Sequence, residues 1–256
     1  MTVGNWRAGI DGRWYDEWEQ FVCHCDALDG LNKAIDSTGR FVSADIQSGT
    51  VLNSSTYRFA PKSLSNAGLE LNIYQTAVTK LPSPRKGDFT LEGYFYITTG
   101  SYGVSQHLFF HLGQNPTPGL FYKLAGETDG TFRYYINNVS QVNTGAGVIP
   151  KDTWFHVAMC RSGGVSRFFI DGNLLMQVAD TNDILYNTSG PLRFGVDGSG
   201  TAPYLMDECR YSSCARYTKA FIPPQSPFGI PFPPFSTSRL TKVQNHSRSL
   251  PNYGKL

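Results

Sequence analysis

Charged residues are scarce in this chain of 256 residues. Asp, Glu, Lys and Arg together make up 16% of it, while hydrophobic residues reach 40%. This ratio excludes a disordered, highly charged chain and a charged helical rod. No stretch approaches 18 apolar residues without a charge, so we expect no insertion into a membrane. Residues 1–11 lack an apolar run behind a basic start, so we expect no secretion through a signal peptide.

Cysteine is sparse and odd in number, which argues against a framework of disulfides. The five cysteines are Cys23, Cys25, Cys160, Cys209 and Cys214. A chain of this length can bury a sizeable core without covalent staples. We therefore expect free thiols and assembly in a reducing compartment such as the cytoplasm.

Acidic residues are absent after Glu208, which makes the end of the chain basic. The segment that follows carries seven basic residues: Arg210, Arg216, Lys219, Arg239, Lys242, Arg248 and Lys255. A mildly acidic body with a basic tail commonly docks on an acidic protein or nucleic-acid surface. The alternative is a solvated tail that binds nothing.

Glycine, proline and aromatic residues are plentiful. The chain has 26 Gly and 15 Pro, and aromatics reach 14%. From residue 21 to 222, short alternating or apolar segments are separated by turn signals, as in Phe89–Ile97 and Trp154–Met159. Asp-Gly pairs at 129–130 and 171–172 suit type I′ hairpin turns. The pattern predicts an all-β antiparallel sandwich or jelly roll without a long helix.

The two ends of the chain differ from this body in composition. Residues 1–20 form an aromatic leader with Trp6, Trp14 and Trp18. If residues 13–21 are helical, Trp14, Trp18 and Phe21 share one face, which either packs on the body or docks on a neighbour. Residues 223–256 hold seven of the fifteen prolines, which predicts an extended arm.

These observations predict three regions: a leader at 1–20, a β domain at 21–228 and a Pro-rich basic arm at 229–256. The aromatic residues of the arm would be covered by the parent domain or by a neighbouring subunit. Candidate docking residues in the two ends are Trp6, Trp14, Trp18, Phe228, Phe232, Phe235, Arg239, Lys242 and Arg248.

Catalytic and metal-binding patterns fail when their spacing is tested. Glu127-Thr-Asp129 lacks the third carboxylate of jelly-roll glycosidases, and Asp129 suits a turn better. His107 and His111 are too far apart on a strand to share a metal. In Cys23-His24-Cys25 adjacent side chains point to opposite faces, so the three cannot converge. Asp197 is a lone calcium candidate. The sequence predicts no catalytic residue, no metal and no cofactor.

Several motifs occur in an order that resembles a known family. Trp154-Phe-His-Val-Ala158 is followed by Arg167–Gly172, Pro191–Gly195 and Leu205–Arg210, and Gly87–Tyr94 lies upstream. This run resembles the laminin-G-like branch of concanavalin A-like jelly rolls. The resemblance implies an all-β, antiparallel, concanavalin A-like jelly-roll sandwich. In it we expect Trp154 to anchor the core, Asp171 and Gly172 to form a turn, and Asp207 to accept hydrogen bonds from loop amides or Trp154.

The end of the domain resembles a narrower group. Ala215–Phe228 is similar to the ending of laminin-G-like domains in tailed-bacteriophage virion proteins. That likeness implies a non-enzymatic capsid-decoration or tail-associated subunit of the virion, assembled in the host cytoplasm as a homo-oligomer. Its terminal arms would dock on other virion proteins.

The alternative function is an adhesin module that binds host surface glycans. Jelly rolls often bind sugars with aromatic residues of their rim loops. Tyr102 and Tyr204 lie in Gly-rich segments and could stack on a sugar ring, with Asp197 as a further contact. The competing interpretation is that both are ordinary loop tyrosines.

Overall fold

The structure is a computed structural model of the full chain. It describes residues 6–28, 33–40, 44–46, 51–67, 71–73, 81, 83–101, 106–113, 122–184, 192–197 and 203–231. Within these residues, no helix has the length and apolar character needed to cross a bilayer.

Nineteen strands follow one another along the described parts of the chain, with one turn of 3-10 helix at Thr99–Ser101. The first eight strands are short: β1 (Trp6–Ala8), β2 (Arg13–Asp16), β3 (Glu19–Cys23), β4 (Lys33–Ala34), β5 (Ala44–Ile46), β6 (Val51–Asn53), β7 (Ser63–Ala67) and β8 (Leu71–Ile73). The next five are β9 (Phe89–Ile97), β10 (His107–Leu112), β11 (Tyr122–Gly126), β12 (Phe132–Ile136) and β13 (Val139–Asn143). The last six are β14 (Trp154–Ser162), β15 (Val165–Ile170), β16 (Asn173–Ala179), β17 (Leu192–Asp197), β18 (Pro203–Ser212) and β19 (Ile230–Pro231).

Two antiparallel sheets make up the body. The front sheet has the order β13-β12-β11-β10-β17-β8-β5-β4. The back sheet has the order β16-β15-β14-β9-β18-β7-β6, and β3 pairs with the second half of β18. A separate three-stranded sheet, the terminal sheet, joins both ends of the chain in the order β1-β2-β19. The prediction of an antiparallel jelly-roll sandwich is confirmed.

Aromatic side chains fill the space between the two sheets. The ring of Phe95 in the back sheet lies 4.9 Å from that of Phe109 and 5.9 Å from that of Phe110, both in the front sheet. All three side chains are buried. Edge-to-face pairs of this kind contribute about 0.5–1.5 kcal/mol each beyond the burial of their area. The alternation of the strands therefore gives one shared core.

Two hairpin turns contain a glycine with a positive φ. At the β15–β16 turn, Asp171 and Gly172 have φ values of 48° and 75°, the positive pair of a type I′ turn. The expected type I′ turn at 129–130 differs, because only Gly130 has a positive φ, of 81°. There the amide of Glu127 donates to the carbonyl of Thr131 at 2.8 Å. This is the longer loop in which a turn is followed by one left-handed residue.

The helix considered for residues 13–21 is not formed. These residues form β2, a turn and β3, so Trp14, Trp18 and Phe21 do not share a helix face. β3 pairs with β18 in the back sheet and crosses the predicted boundary at residue 21. At the other end, Ile230 and Pro231 pair with β2 on the edge of the terminal sheet, where proline is tolerated. The three predicted regions remain a proposal.

Candidate functional site

A segment at the end of the domain crosses the outer face of the back sheet. We call residues 213–229 the strap. The hydroxyl of Thr90 donates to the carbonyl of Cys214 at 2.8 Å and accepts from the amide of Arg216 at 2.9 Å. Further along, the hydroxyl of Tyr94 donates to the carbonyl of Pro224. The strap is therefore fixed to β9 over most of its length.

The β15–β16 turn holds the middle of the strap. The amide of Phe221 donates to the carbonyl of Gly172 at 3.0 Å. A Cβ atom at position 172 would lie 1.9 Å from the carbonyl oxygen of Phe221. Glycine is needed here for its positive φ and for this close approach. The ring of Phe221 packs 5.3 Å from that of Phe169 and stacks 3.5 Å from that of Tyr217.

A cluster of charged side chains lies buried beneath the strap. Glu92 is fully buried, and its Oε1 accepts from Nε and Nη2 of Arg210 at 2.9 and 2.8 Å. Its Oε2 accepts from the hydroxyl of Tyr217 at 2.9 Å and lies 3.1 Å from Nε2 of His156. Burial opposes ionisation, but Arg210 and His156 lower the pKa of Glu92 to about 2. Nη1 of Arg210 also donates to Glu19 at 2.7 Å.

A second buried cluster joins the first strands to the end of the strap. Nδ1 of His24 lies 2.7 Å from Oε1 of Glu208, and Nε2 lies 2.9 Å from Oδ2 of Asp11. Burial alone would lower the pKa of His24, but hydrogen bonds to the two carboxylates raise it to about 10. Oε2 of Glu208 accepts from the amide of Phe228 at 2.7 Å. Glu208 thus ties His24 and the strap together.

A cleft opens where the terminal sheet meets the strap. Its volume is about 210 Å³. Residues on its walls include Trp6, Asp16, Glu19, Arg210, Arg216, Ser226 and Phe228. The indole of Trp6 is 45% exposed at this cleft, whereas Phe228 is buried, with the guanidinium of Arg210 at 3.9 Å above its ring. The cleft therefore combines an accessible aromatic surface with preoriented polar groups.

The front sheet carries a different polar row on its outer face. Arg193, His111, Lys123 and Tyr135 lie side by side on four adjacent strands. Their sequence neighbours, such as Phe110 and Phe194, point into the core. Burial, helped by Arg193 and Lys123, lowers the pKa of His111 to about 3. His111 is therefore neutral at physiological pH, unlike His24.

The predicted docking residues are distributed unequally. Trp6 and Trp18 are exposed, at 45% and 47%, and Trp14 is half-buried. Phe228 differs from the prediction, because it packs with Tyr15 and Val22 of the same chain and is 3% exposed. Its ring is covered by the parent domain, one of the two options that the sequence left open. The other predicted docking residues lie outside the described residues: Phe232, Phe235, Arg239, Lys242 and Arg248.

The predicted glycan contacts are not brought together. Tyr204 differs from the prediction, because it lies in β18 with its ring in the core and is 2% exposed. It cannot stack on a sugar. Tyr102 lies outside the described residues, and β17 ends at Asp197, whose side chain is likewise outside them.

Three of the residues expected to be structural are Trp154, Asp207 and Asp171, and they differ in burial and in hydrogen bonding. Trp154 differs from the prediction, because it is half-buried at the start of β14 and meets the ring of Tyr96 at 5.7 Å. Oδ2 of Asp207 accepts from the amides of Arg58 and Phe59 at 2.9 and 3.0 Å. Oδ1 of Asp171 accepts from the amide of His156 at 2.8 Å, which adds a side-chain contact to its place in the turn.

The rejected catalytic and metal patterns take other roles. Glu127 accepts from the hydroxyl of Tyr135 beside the β11–β12 turn, and Asp129 lies in that turn. A bulge between Leu108 and Phe110 interrupts the alternation of β10, which carries both His107 and His111. The thiols of Cys23 and Cys25 lie 3.7 Å apart in the core, while His24 points away to Glu208. In the described part of the chain, no group of three His, Cys, Asp or Glu side chains could hold a metal ion.

Sequence reasoning missed the two buried charge clusters. One signal was available, because Glu92 is an acid in the middle of the apolar run Phe89–Ile97. A buried acid needs a cationic partner. Its partner Arg210 is more than one hundred residues away, and neither composition nor spacing connects the two.

Comparison with known families agrees with this architecture. Residues 72–218, more than half of the chain, match the Laminin_G_3 family, described as the concanavalin A-like lectin/glucanases superfamily. The chain belongs to this family. No curated protein sequence matches it.

Solved structures that share the fold of this chain include binding domains of toxins. The receptor binding domain of botulinum neurotoxin C/D mosaic serotype aligns with a TM-score of 0.58 at 10% identity, over 78% of this chain and 49% of that one. The binding domain of Paraclostridial Mosquitocidal Protein 1 aligns at 0.54 and 13%, over 78% and 50%. A Trypanosoma rangeli sialidase in complex with sialic acid aligns at 0.56 and 13%, over 77% and 31%. The chain thus spans half or less of these structures, and the likeness is one of fold.

Proposed function

We propose that this protein is a non-catalytic module that recognises glycans. The observation that carries this proposal is the cleft between the terminal sheet and the strap. There an exposed indole lies beside carboxylates that arginines already hold. Sugar sites commonly combine an aromatic surface with a few preoriented polar groups. The fold, shared with binding domains of two toxins, is compatible with this role.

The state of the buried acids supports recognition over hydrolysis. A retaining glycosidase needs two carboxyl groups about 5 Å apart, one protonated and one ionised, in contact with substrate. Glu92 is fully buried, and Arg210 keeps it ionised. Glu127 and Asp129 lie at the β11–β12 turn, and Glu127 is bonded to Tyr135. None of these acids has the environment of a general acid at a cleft.

A glycan array probed with the full chain tests this function. We expect retention of a defined set of glycans and no release of reducing sugar when the best of them is incubated with the protein. Silence across the array would contradict glycan recognition. Turnover of a bound glycan would contradict the non-catalytic part of the proposal.

The second candidate function is docking within a bacteriophage virion, as a capsid-decoration or tail-associated subunit. Trp18 favours it, because its side chain is 47% exposed on the β2–β3 turn outside the cleft. The basic residues of the proposed arm, Arg239, Lys242, Arg248 and Lys255, and the phage-like ending at Ala215–Phe228 also support docking. A homo-oligomer and assembly in the host cytoplasm belong to this proposal.

Co-sedimentation with virus particles tests the second candidate. The full chain should co-sediment, and a variant that ends at Pro231 should stay folded and remain in the supernatant. Normal incorporation of this variant would contradict docking through the arm. The molecular mass of the full chain in solution measures the proposed homo-oligomer.

A further inference from the structure

The cleft at the terminal sheet has the components of a sugar site on two sides. Trp6 in β1 lies directly opposite Asp16 in β2, so their side chains share one face of the terminal sheet. Trp6 supplies an aromatic surface that is 45% exposed. An exposed indole offers an apolar aromatic surface on which the C–H face of a sugar ring can stack.

The polar side of the cleft is held in place before any ligand arrives. Nη2 of Arg216 donates to both carboxylate oxygens of Asp16, at 3.1 and 2.9 Å. Oδ1 of Asp16 also accepts from the amides of Trp18 and Glu19, at 3.0 Å each. The side chains of Asp16 and Arg216 keep 18% and 17% of their surface exposed. They can therefore accept from and donate to ligand hydroxyls without rearranging.

The charge and the size of the cleft limit the ligand. Two carboxylates and two guanidinium groups line it, and they pair with one another: Asp16, Glu19, Arg210 and Arg216. The charges of these four lining groups balance, so the groups give an ionic ligand no net attraction. The volume of about 210 Å³ lies below the roughly 300–1,000 Å³ of pockets for drug-sized molecules. A single ring fits this space better than an extended chain.

We infer that this cleft binds one neutral sugar ring, stacked on Trp6 and hydrogen-bonded to Asp16 and Arg216. The inference rests on the proposed glycan recognition and adds its site and its ligand class. It also assigns different roles to two tryptophans of nearly equal exposure. Trp6 contacts ligand, and Trp18 lies outside the cleft.

The test follows the indole N–H signals of the full ¹⁵N-labelled chain by NMR. D-glucose, D-galactose, D-mannose and N-acetylglucosamine are the neutral probes, and N-acetylneuraminic acid is the charged one. At least one neutral sugar should shift the Trp6 indole signal in a saturable manner. Trp6→Ala should weaken that binding about tenfold, the loss expected for one stacking contact. Trp18→Ala is the matched control and should bind as the unaltered chain does.

Trp6→Tyr keeps an aromatic surface and should retain part of the affinity, which a general loss of folding would not allow. The inference is overturned if no neutral sugar shifts the Trp6 signal, if both alanine variants lose binding equally, or if only N-acetylneuraminic acid binds. A positive glycan array with normal binding by Trp6→Ala would overturn this site and leave glycan recognition standing. A silent array with no indole shift would remove both.

Discussion

The outer faces of the two sheets carry similar polar residues in opposite electrostatic states. On the back sheet, Glu92 and Arg210 form an ion pair beneath the strap. On the front sheet, Arg193 and Lys123 flank His111, which takes no charge because burial and these cations disfavour protonation. Strand alternation directs polar side chains outward on both faces. In the described part of the chain, the strap covers such side chains on the back sheet, where charges of both signs are buried together.

Two histidines make this contrast sharper. His24 and His111 are both largely buried, at 9% and 7% exposure. His24 lies between Asp11 and Glu208, whereas His111 lies between Arg193 and Lys123. Burial disfavours the charged form of both rings, and only at His24 do two carboxylates outweigh it. His24 is therefore charged and His111 neutral at physiological pH, although both are buried to a similar extent.

The largest effect should come from breaking the ion pair beneath the strap. Arg210→Met leaves Glu92 buried without its main cationic partner, so we expect a loss of about 3–5 kcal/mol in the free energy of unfolding. Urea denaturation measures it. The double variant Glu92→Gln with Arg210→Met removes both charges and should recover a large part of the loss. Equal instability of the single and double variants would show that the loss does not come from an unpaired charge on Glu92.

A change of pH should separate the two histidines. His24 has a pKa raised from 6.5 to about 10, so its contribution is complete below pH 6.5 and is lost as the pH rises through 10. We expect this loss to be on the order of 3 kcal/mol, because the buried carboxylate of Glu208 and the partly exposed carboxylate of Asp11 then lack their cation. His24→Gln should remove this part of the pH dependence. Titration of the His24 ring by NMR measures the pKa directly, and a midpoint near 6.5 would contradict stabilisation of the charged ring by Asp11 and Glu208.

His111 should show the opposite dependence. Its pKa is lowered from 6.5 to about 3, so the unfolded chain takes up a proton first. The unfolding free energy should therefore fall as the pH drops from 6.5 towards 3. NMR of the His111 ring in the folded protein should show the neutral form over most of this range, with protonation only as the pH approaches 3.

The sequence was sufficient to predict the two sheets but not to predict which segment covers the back sheet. Alternation and turn residues predicted the antiparallel sandwich, because the side-chain period of a strand is local information. The path of Ala215–Phe228 across the back sheet is not local. We expected residues 21–228 to belong to the β domain, so the sequence did not predict that the last part of this range would lie across the back sheet. Which surface covers Phe228 depends on Glu208 and Tyr15, to which no periodicity points.

The tryptophans show the same limit. Their spacing suited a helix face, but the chain forms β2, a turn and β3 instead. β3 pairs with the far end of β18 and β2 with β19, and these long-range partners override the local pattern. The cleft at Trp6 arises from that pairing. No reading of residues 1–20 alone could therefore have located it.

A smaller effect should show how strongly the strap depends on one turn. Gly172→Ala places a Cβ atom against the carbonyl of Phe221 and also strains a positive φ. Gly163→Ala is the matched control, because its φ is also positive, at 58°, and its Cβ atom would meet nothing within 4 Å. We expect Gly172→Ala to be less stable than Gly163→Ala by about 1–3 kcal/mol. Hydrogen exchange of the Phe221 amide should accelerate in the first variant alone, and equal exchange in both would contradict a contact between turn and strap.

The smallest effect concerns the cations of the front sheet. Burial is the main cause of the low pKa of His111, and Arg193 adds to it. Arg193→Gln should therefore raise the pKa of His111 by a few tenths and leave it well below 6.5, because the ring stays buried. NMR titration of the ring measures this shift, with Arg193→Lys as the control that keeps the charge. A return of the pKa to 6.5 in the glutamine variant would mean that the charge of Arg193, rather than burial, keeps His111 neutral. The protonation states on the two sheet faces would then be set by neighbouring charges and not by burial.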